Sequence, residues 1–183
     1  MIGDVTVISG PSAVGKGTLV HALLEAHPEV WLSVSVTTRS PRPGEIDGLH
    51  YHFISNAEFD ELIATDGLLE WALVHGTDRY GTPAAPALAA VAQGKKVILE
   101  IEIQGARQVK ERLPHCRMVF IAPPSEQTLR NRLVHRGTET EEQMARRLRT
   151  AASEMAAVSE FDHVIVNDDL GTATAELVEL LGL

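Results

Sequence analysis

The sequence holds one cysteine, Cys116. A lone thiol cannot close an internal disulfide or build a thiolate zinc cage, so neither staple supports the fold. It fits a reducing compartment, and Cys116 reads as a buried apolar filler. Basic side chains are the minority, with 16 Lys and Arg against 25 Asp and Glu and a net charge of −9. That balance argues against wrapping nucleic acid or lying on an anionic membrane. Long apolar runs are missing too. None approaches the ~20 residues that span a bilayer. The opening MIGDVTVISGPSAVGKG lacks the basic start, apolar run and cleavage site of a secretory signal. The expected location is the cytoplasm. Internal repeats and low-complexity linkers are absent, so 183 residues at 44% hydrophobic read as one domain with a proper core.

What is present alternates short apolar runs with amphipathic ones. Val5–Ser9, 97–103, 118–122 and 163–166 read as strands, and Leu32–Val36 as another. Helical spacing runs from Thr18, through 104–113, from Ser125, from Thr140 to about Ser159, and over 170–181. Asn56 reads as a helix cap, and Thr82-Pro83 as a strong helix start. Strands separated by helices imply βαβ crossovers and a mostly parallel sheet covered on both faces, an α/β fold. Residues 33–83 depart from this rhythm. Extended pieces there surround a loop rich in Pro, Gly, Arg and Ser, which reads as a subregion beside the main sheet.

Gly10-Pro11-Ser12-Ala13-Val14-Gly15-Lys16 fits the first seven positions of the phosphate-loop pattern G-x-x-x-x-G-K-[ST]. Its context strengthens the match, because it follows a predicted strand and opens a predicted helix. Backbone N–H groups curled inward, with a helix N-terminus behind them, make an anion nest. Lys16 then reaches the β- and γ-phosphates of a nucleotide. The eighth position departs from the pattern. It is Gly17, with Thr18 one place later, so direct Mg²⁺ ligation by this loop is in doubt and phosphate oxygens and water are the expected ligands.

Twelve of the 16 basic residues are arginine, whose planar fork suits phosphate. Arg39 and Arg42 sit three apart in the loop TTRSPRPGE, a plausible clamp for a second phosphate. Glu100 and Glu102 read as sharing one face of a strand near its C-terminal end, where α/β folds bind ligands. His50 and His52 share a strand face, but no third ligand follows nearby, so they do not read as a metal site. Trp71 reads as core.

With TTRSPRPGE, GLHYHF, LEW, YGTP, LEIEIQGA, FIAPPS and RGTETEE in this order, the chain resembles the guanylate kinases over essentially its whole length. These are nucleoside monophosphate kinases that convert GMP and ATP to GDP and ADP. The resemblance implies a three-layer phosphate-loop kinase fold, with an inserted GMP-binding subregion at about 33–83 and a helical lid at about 126–155. The core is then about 1–32, 84–125 and 156–183. It implies that Gly10, Ser12, Ala13, Val14, Gly15, Lys16, Gly17, Thr18 and Asn167 bind ATP, with Asn167 at the adenine. Arg39, Arg42, Tyr51 and Tyr80 match residues that grip the GMP phosphate. Ser35, Glu70, Thr82 and Glu102 match those that read guanine, where the family most often has Asp at 102 and Ser at 82. Arg136 and Arg147 match lid arginines that close on the transferring group, and by its charge Lys16, with Arg132 as a further candidate, is expected to stabilise that group with them. Gly137 is the expected lid hinge. Mg²⁺ enters with ATP, and Glu100 is placed to act on it through water.

The chemistry of the bases points the same way. Guanine presents N1–H and N2–H as adjacent donors, and a carboxylate accepts both; adenine leaves such a carboxylate unpaired. No general base is needed, since the GMP phosphate is largely dianionic at neutral pH. Two alternatives remain open here. One is a guanylate-kinase-like binding module that has lost catalysis. The other is a monophosphate kinase with another base preference. Oligomeric state is not legible.

Overall fold

A computed structural model describes residues 5–74, 77–135 and 141–183 of the chain, with side chains left aside at 134–135 and 141–147. The first strand, β1 (Val5–Ser9), is buried at every position. A strand covered on both faces reads as a continuous apolar run rather than an alternation, which is the pattern VTVIS shows. After the phosphate loop comes α1 (Lys16–Ala26). The single strand expected at 32–36 is instead two short ones, β2 (Trp31–Leu32) and β3 (Val36–Thr37), which belong to different sheets. The chain leaves the main sheet at Ser33.

β4 (His52–Phe53), α2 (Asn56–Ala64), β5 (Leu68–Val74) and β6 (Asp78–Pro83) complete the second sheet, in the order β4-β3-β6-β5. Its β5–β6 pair is antiparallel and places Glu70 opposite Thr82. Ser55, not Asn56, caps α2, through a reciprocal capping box with Glu58. α2 seals this sheet with a small core of Val36, Phe59 and Leu68.

The chain then returns through α3 (Ala84–Ala92), β7 (Val97–Glu100), α4 (Ile103–Arg112), β8 (Arg117–Ala122), α5 (Glu126–His135), α6 (Glu141–Met155), a 3-10 turn at Ala156–Glu160, β9 (His163–Val166) and α7 (Leu170–Leu181). The main sheet runs β2-β7-β1-β8-β9, with every neighbouring pair parallel. Alternation sorts its side chains. Ile8, Ile98, Val119, Ile121 and Ile165 meet Leu19 and Leu23 of α1, Leu129 and Leu133 of α5, and Leu177 and Leu181 of α7. Val5, Val7, Val97, Leu99 and Met118 meet Ala87 of α3 and Ala106 and Val109 of α4 on the other face. The expected three layers are present. Leu69 of β5 enters the second of these cores, so the second sheet stands on α4 and the main sheet beneath it. No helix among the described residues is long and apolar enough to cross a membrane.

Some expected boundaries move. β7 stops at Glu100, so Glu102 is not on the strand but at the N-cap of α4. α3 begins at Ala84 with Pro83 as its N-cap and no side-chain cap bond, because Thr82 is still in β6 and its hydroxyl is used elsewhere. The long helix ends at Met155 and tightens into the 3-10 turn. Trp71 is 39% exposed rather than core, pointing outward from β5 with its ring edge against Phe59. Cys116 is buried, as its sequence context implies. The expected helix start at Thr140 lies outside the described residues.

Candidate active site

The loop between β1 and α1 has the geometry of an anion nest. Ala13 adopts a left-handed φ of 65°, and Gly15 a φ of 96° at the N-cap of α1. Alternation of handedness turns successive amides to the concave side. Gly15 is required twice over, since a Cβ there would also lie 2.6 Å from the Asn167 amide nitrogen. Val14 is buried, and its carbonyl carries a double brace. Asn167 Nδ2 donates to it at 2.9 Å and Arg132 Nη1 at 3.1 Å, while Arg132 Nη2 donates to the Asn167 carbonyl at 3.1 Å. Asn167, expected at the adenine, thus has its amide group on the loop and is itself buried. Lys16 Nζ donates to the Gly10 carbonyl at 2.6 Å. Thr18 is exposed in the first turn of α1.

The space over Gly17 belongs to Glu100. A Cβ built on Gly17 would lie 3.6 Å from Glu100 Oε1, an ordinary contact. A carboxylate therefore stands beside the position where the pattern has a hydroxyl. Burial raises the Glu100 pKa above the usual carboxylate range, the Lys16 charge opposes that shift, and Glu102 adds to it.

A cleft of about 330 Å³ joins the loop to the second sheet. Lys16, Ser35, Tyr51, Glu70, Tyr80, Glu100 and Glu102 all line it. Residues up to 86 positions apart in the chain share one cavity because β7 and the second sheet both end on it. At its far side, Glu70 is 6% exposed, and its Oε1 accepts from the fully buried Thr82 hydroxyl at 2.6 Å. Burial pushes the Glu70 pKa up to about 7, against the opposing Thr82 bond and with a smaller push from Glu102. The other oxygen, Oε2, lies over Gly105 in α4. A Cβ at Gly105 would collide with this carboxyl group, so only glycine lets Glu70 lie against the helix. This gives the glycine of LEIEIQGA its role.

Arg39, Tyr51 and Tyr80 also assemble. Arg39 Nε donates to the Tyr80 hydroxyl at 2.9 Å and Nη2 to Glu45 Oε1 at 2.8 Å. Its guanidinium lies 5.5 Å from the Tyr51 ring centre, and the two tyrosine rings meet edge to face. Glu45 Oε2 accepts from the Arg42 amide at 2.7 Å, so one glutamate ties both arginine positions of the loop together. Arg42 itself is exposed. His50 has its Nδ1 on the Ile46 amide, and no group of three or more potential metal ligands occurs among the described residues.

Two site expectations fall beyond this geometry. Arg136 and the hinge glycine Gly137 lie outside the described residues, and Arg147 is placed on α6 without its side chain. One neighbour was not foreseen. Glu154, on the last turn of α6, accepts from the Ser12 amide at 3.2 Å. It falls three residues after the buried Ala151, on the inward side of the helix.

Comparison with known proteins agrees with this arrangement. The family described as guanylate kinase matches residues 3–182. A guanylate kinase of Cutibacterium acnes is 56% identical over 98% of this chain and 90% of its own length. One from Synechococcus sp. (strain CC9311) is also 56% identical, over 97% and 93%. The crystal structure of guanylate kinase from Anaplasma phagocytophilum superposes with a TM-score of 0.79 at 34% identity, covering 97% of this chain and 84% of that one. A shikimate kinase of Bacteroides thetaiotaomicron, at 16% identity and a TM-score of 0.54, shares the fold alone. A nucleotide-binding loop, a buried carboxylate across one cleft from it and a match over nearly the whole sequence converge, and the chain belongs to the guanylate kinase family.

Proposed function

We propose that the chain transfers the γ-phosphoryl group of ATP to the phosphate of GMP, releasing ADP and GDP. The observation that carries this reading is the shared cleft, with Lys16 at one end and the buried Glu70–Thr82 pair at the other. Glu70, Glu102, Thr82 and Ser35 read guanine, and Arg39, Arg42, Tyr51 and Tyr80 grip the acceptor phosphate. Residues of about 33–83 form the acceptor subregion and about 126–155 the lid. Arg136 and Arg147 close on the transferring group from that lid. Asn167 and Arg132 hold the loop that receives the triphosphate.

In-line transfer between two phosphates needs positioning and charge neutralisation more than a base. Mg²⁺ arriving with ATP supplies part of that neutralisation. Its fit rests on Glu100, a buried carboxylate beside Gly17, which suits a water on the ion rather than the bare ion. The acceptor oxygen is already anionic near neutral pH, and Lys16 faces it from the donor side. Both substrates are free nucleotides, which suits a cytoplasmic enzyme.

An ADP-release assay with Mg·ATP and GMP, dGMP, AMP, CMP or UMP tests the reading. Turnover with GMP and dGMP, and rejection of AMP by about 10⁴ in kcat/KM, is the expected result. Comparable turnover of AMP and GMP refutes the carboxylate reading of guanine. GMP binding with no turnover would make the domain a binding module.

A further inference from the structure

Glu70 stands beside a break in the pairing of its own strand. Between Leu68, opposite Pro83, and Glu70, opposite Thr82, β5 takes two steps where β6 takes one. A bulge of this kind re-aims the side chains next to it and weakens the register that would fix them. β5 also ends the four-stranded sheet, paired to β6. An edge strand turns alternate N–H and C=O groups away from the ladder. Hairpin pairing alone therefore holds the direction of Glu70 weakly.

At Trp71, the residue after Glu70, that edge is closed by a side chain of α4. Gln108 Oε1 accepts from the Trp71 amide N–H at 3.2 Å, and Gln108 Nε2 donates to the Trp71 carbonyl at 2.8 Å. One carboxamide supplies both an acceptor and a donor, as a further strand would. Gly105, one helical turn before Gln108, lies under the Glu70 carboxyl group, where a Cβ would collide with it. Arg112, one turn after Gln108, donates to Asp66 Oδ1 at 2.6 Å, just ahead of β5. Residues 105, 108 and 112 share one face of the helix. The Arg112 contact is an exposed ion pair of little weight, and Gly105 supplies room but no bond. Among the described residues, Gln108 is the group that bonds α4 to β5 beside the carboxylate.

We infer that Gln108 is a positioning residue for guanine recognition: by holding the Trp71 backbone against α4, it fixes the Glu70 carboxylate where it meets both guanine donors, N1–H and N2–H. The inference rests on the kinase reading, with GMP as the acceptor. Gln108 acts through Glu70, and its influence crosses a single peptide unit. A reading group displaced by about 1 Å loses up to about 10²-fold. Two parallel hydrogen bonds to one carboxylate need both oxygens in register, so the loss is greatest for a base that carries both donors. A base without N2–H has less to lose.

The test uses the full chain in the ADP-release assay, with GMP and inosine monophosphate as acceptors. The base of the second keeps N1–H and lacks N2–H. Gln108→Leu retains bulk and removes both bonds to Trp71. It should raise KM for GMP about 10- to 30-fold while kcat and KM for ATP stay within about 2-fold of the parent. The GMP-to-inosine ratio of kcat/KM should fall about 5- to 10-fold, which a merely structural role would not produce. Gln108→Glu keeps the amide N–H and gives up the carbonyl, so it should lose less of the ratio. Arg112→Ala loosens the same helix from the same sheet away from Glu70, and its ratio should match the parent's. The parent's ratio in Gln108→Leu, or a rise in KM for ATP equal to that for GMP, overturns the inference; so does an equal loss of ratio in Arg112→Ala. If Gln108→Leu fails to fold, the ratio in Gln108→Glu decides by the same criterion. These results leave the kinase reading intact, whereas a parent chain that turns over no GMP overturns that reading itself.

Discussion

Replacing Glu70 with glutamine should stabilise the fold while damaging acceptor binding. Burial raises the Glu70 pKa from an ordinary 4.5 to about 7. Its folded form therefore binds a proton more tightly than its unfolded form. Between those two values the native chain holds more protons than the unfolded one, so stability declines as pH rises through the window. Above it, the full cost of the buried charge is present. Two and a half pH units correspond to about 3 kcal/mol, an upper figure for a side chain that is almost fully enclosed. Glutamine is neutral throughout and keeps an oxygen for the Thr82 hydroxyl. At pH 8 the variant should unfold at higher urea than the parent, with Tm raised by up to about 10 °C for a chain of this size. At pH 4.5 and below the gap should close. In the ADP-release assay the same variant should lose about 10²- to 10³-fold in kcat/KM for GMP, because an amide offers a donor where guanine needs a second acceptor. A variant less stable than the parent at pH 8, or a gap independent of pH, would refute the reasoning.

Gly105→Ala pushes a methyl into the Glu70 carboxyl group, so KM for GMP should rise about 10-fold or more while KM for ATP stays near the parent value, measured in the same assay. Arg39→Lys keeps the charge but cannot span both Tyr80 and Glu45, and it should raise KM for GMP about 10-fold. Asn167→Ala removes one of the two hydrogen bonds that brace the Val14 carbonyl. It should cost about 1–2 kcal/mol in urea unfolding and raise KM for ATP more than KM for GMP.

The phosphate loop could be read from sequence because its chemistry is local. Seven consecutive residues set the backbone, and a strand and a helix flank them. The layered fold was legible for a similar reason, since runs such as VTVIS announce their own burial. The guanine end was harder. Glu70 and Thr82 are 12 residues apart, and only the register of the β5–β6 hairpin brings them opposite. Seen in isolation, Thr82-Pro83 has the chemistry of a helix cap; the hydroxyl instead serves the carboxylate across the hairpin. Glu100 and Glu102 have strand spacing, but the strand ends between them, so one carboxyl lies by the loop and the other at the head of α4. Trp71 is outward-facing in β5, an edge strand of the second sheet, where a large ring need not be core. Glu45 and Glu154 act through backbone amides, a kind of contact that residue identity alone does not announce.

The brace on the Val14 carbonyl also bears on how the molecule comes into being. Val14 leaves the ribosome before Asn167, which follows it by 153 positions. Val14 follows β1 and Asn167 follows β9, the two strands that flank β8 in the finished sheet. A donor site of full strength therefore belongs to the last stage of folding, when the most distant contacts close. Nascent or truncated chains that stop short of β9 lack both the Asn167 amide and the carbonyl that anchors Arg132. Tight ATP binding is thus a property of the completed sheet, and in refolding it should recover with the slowest phase rather than with the burial of the first helices.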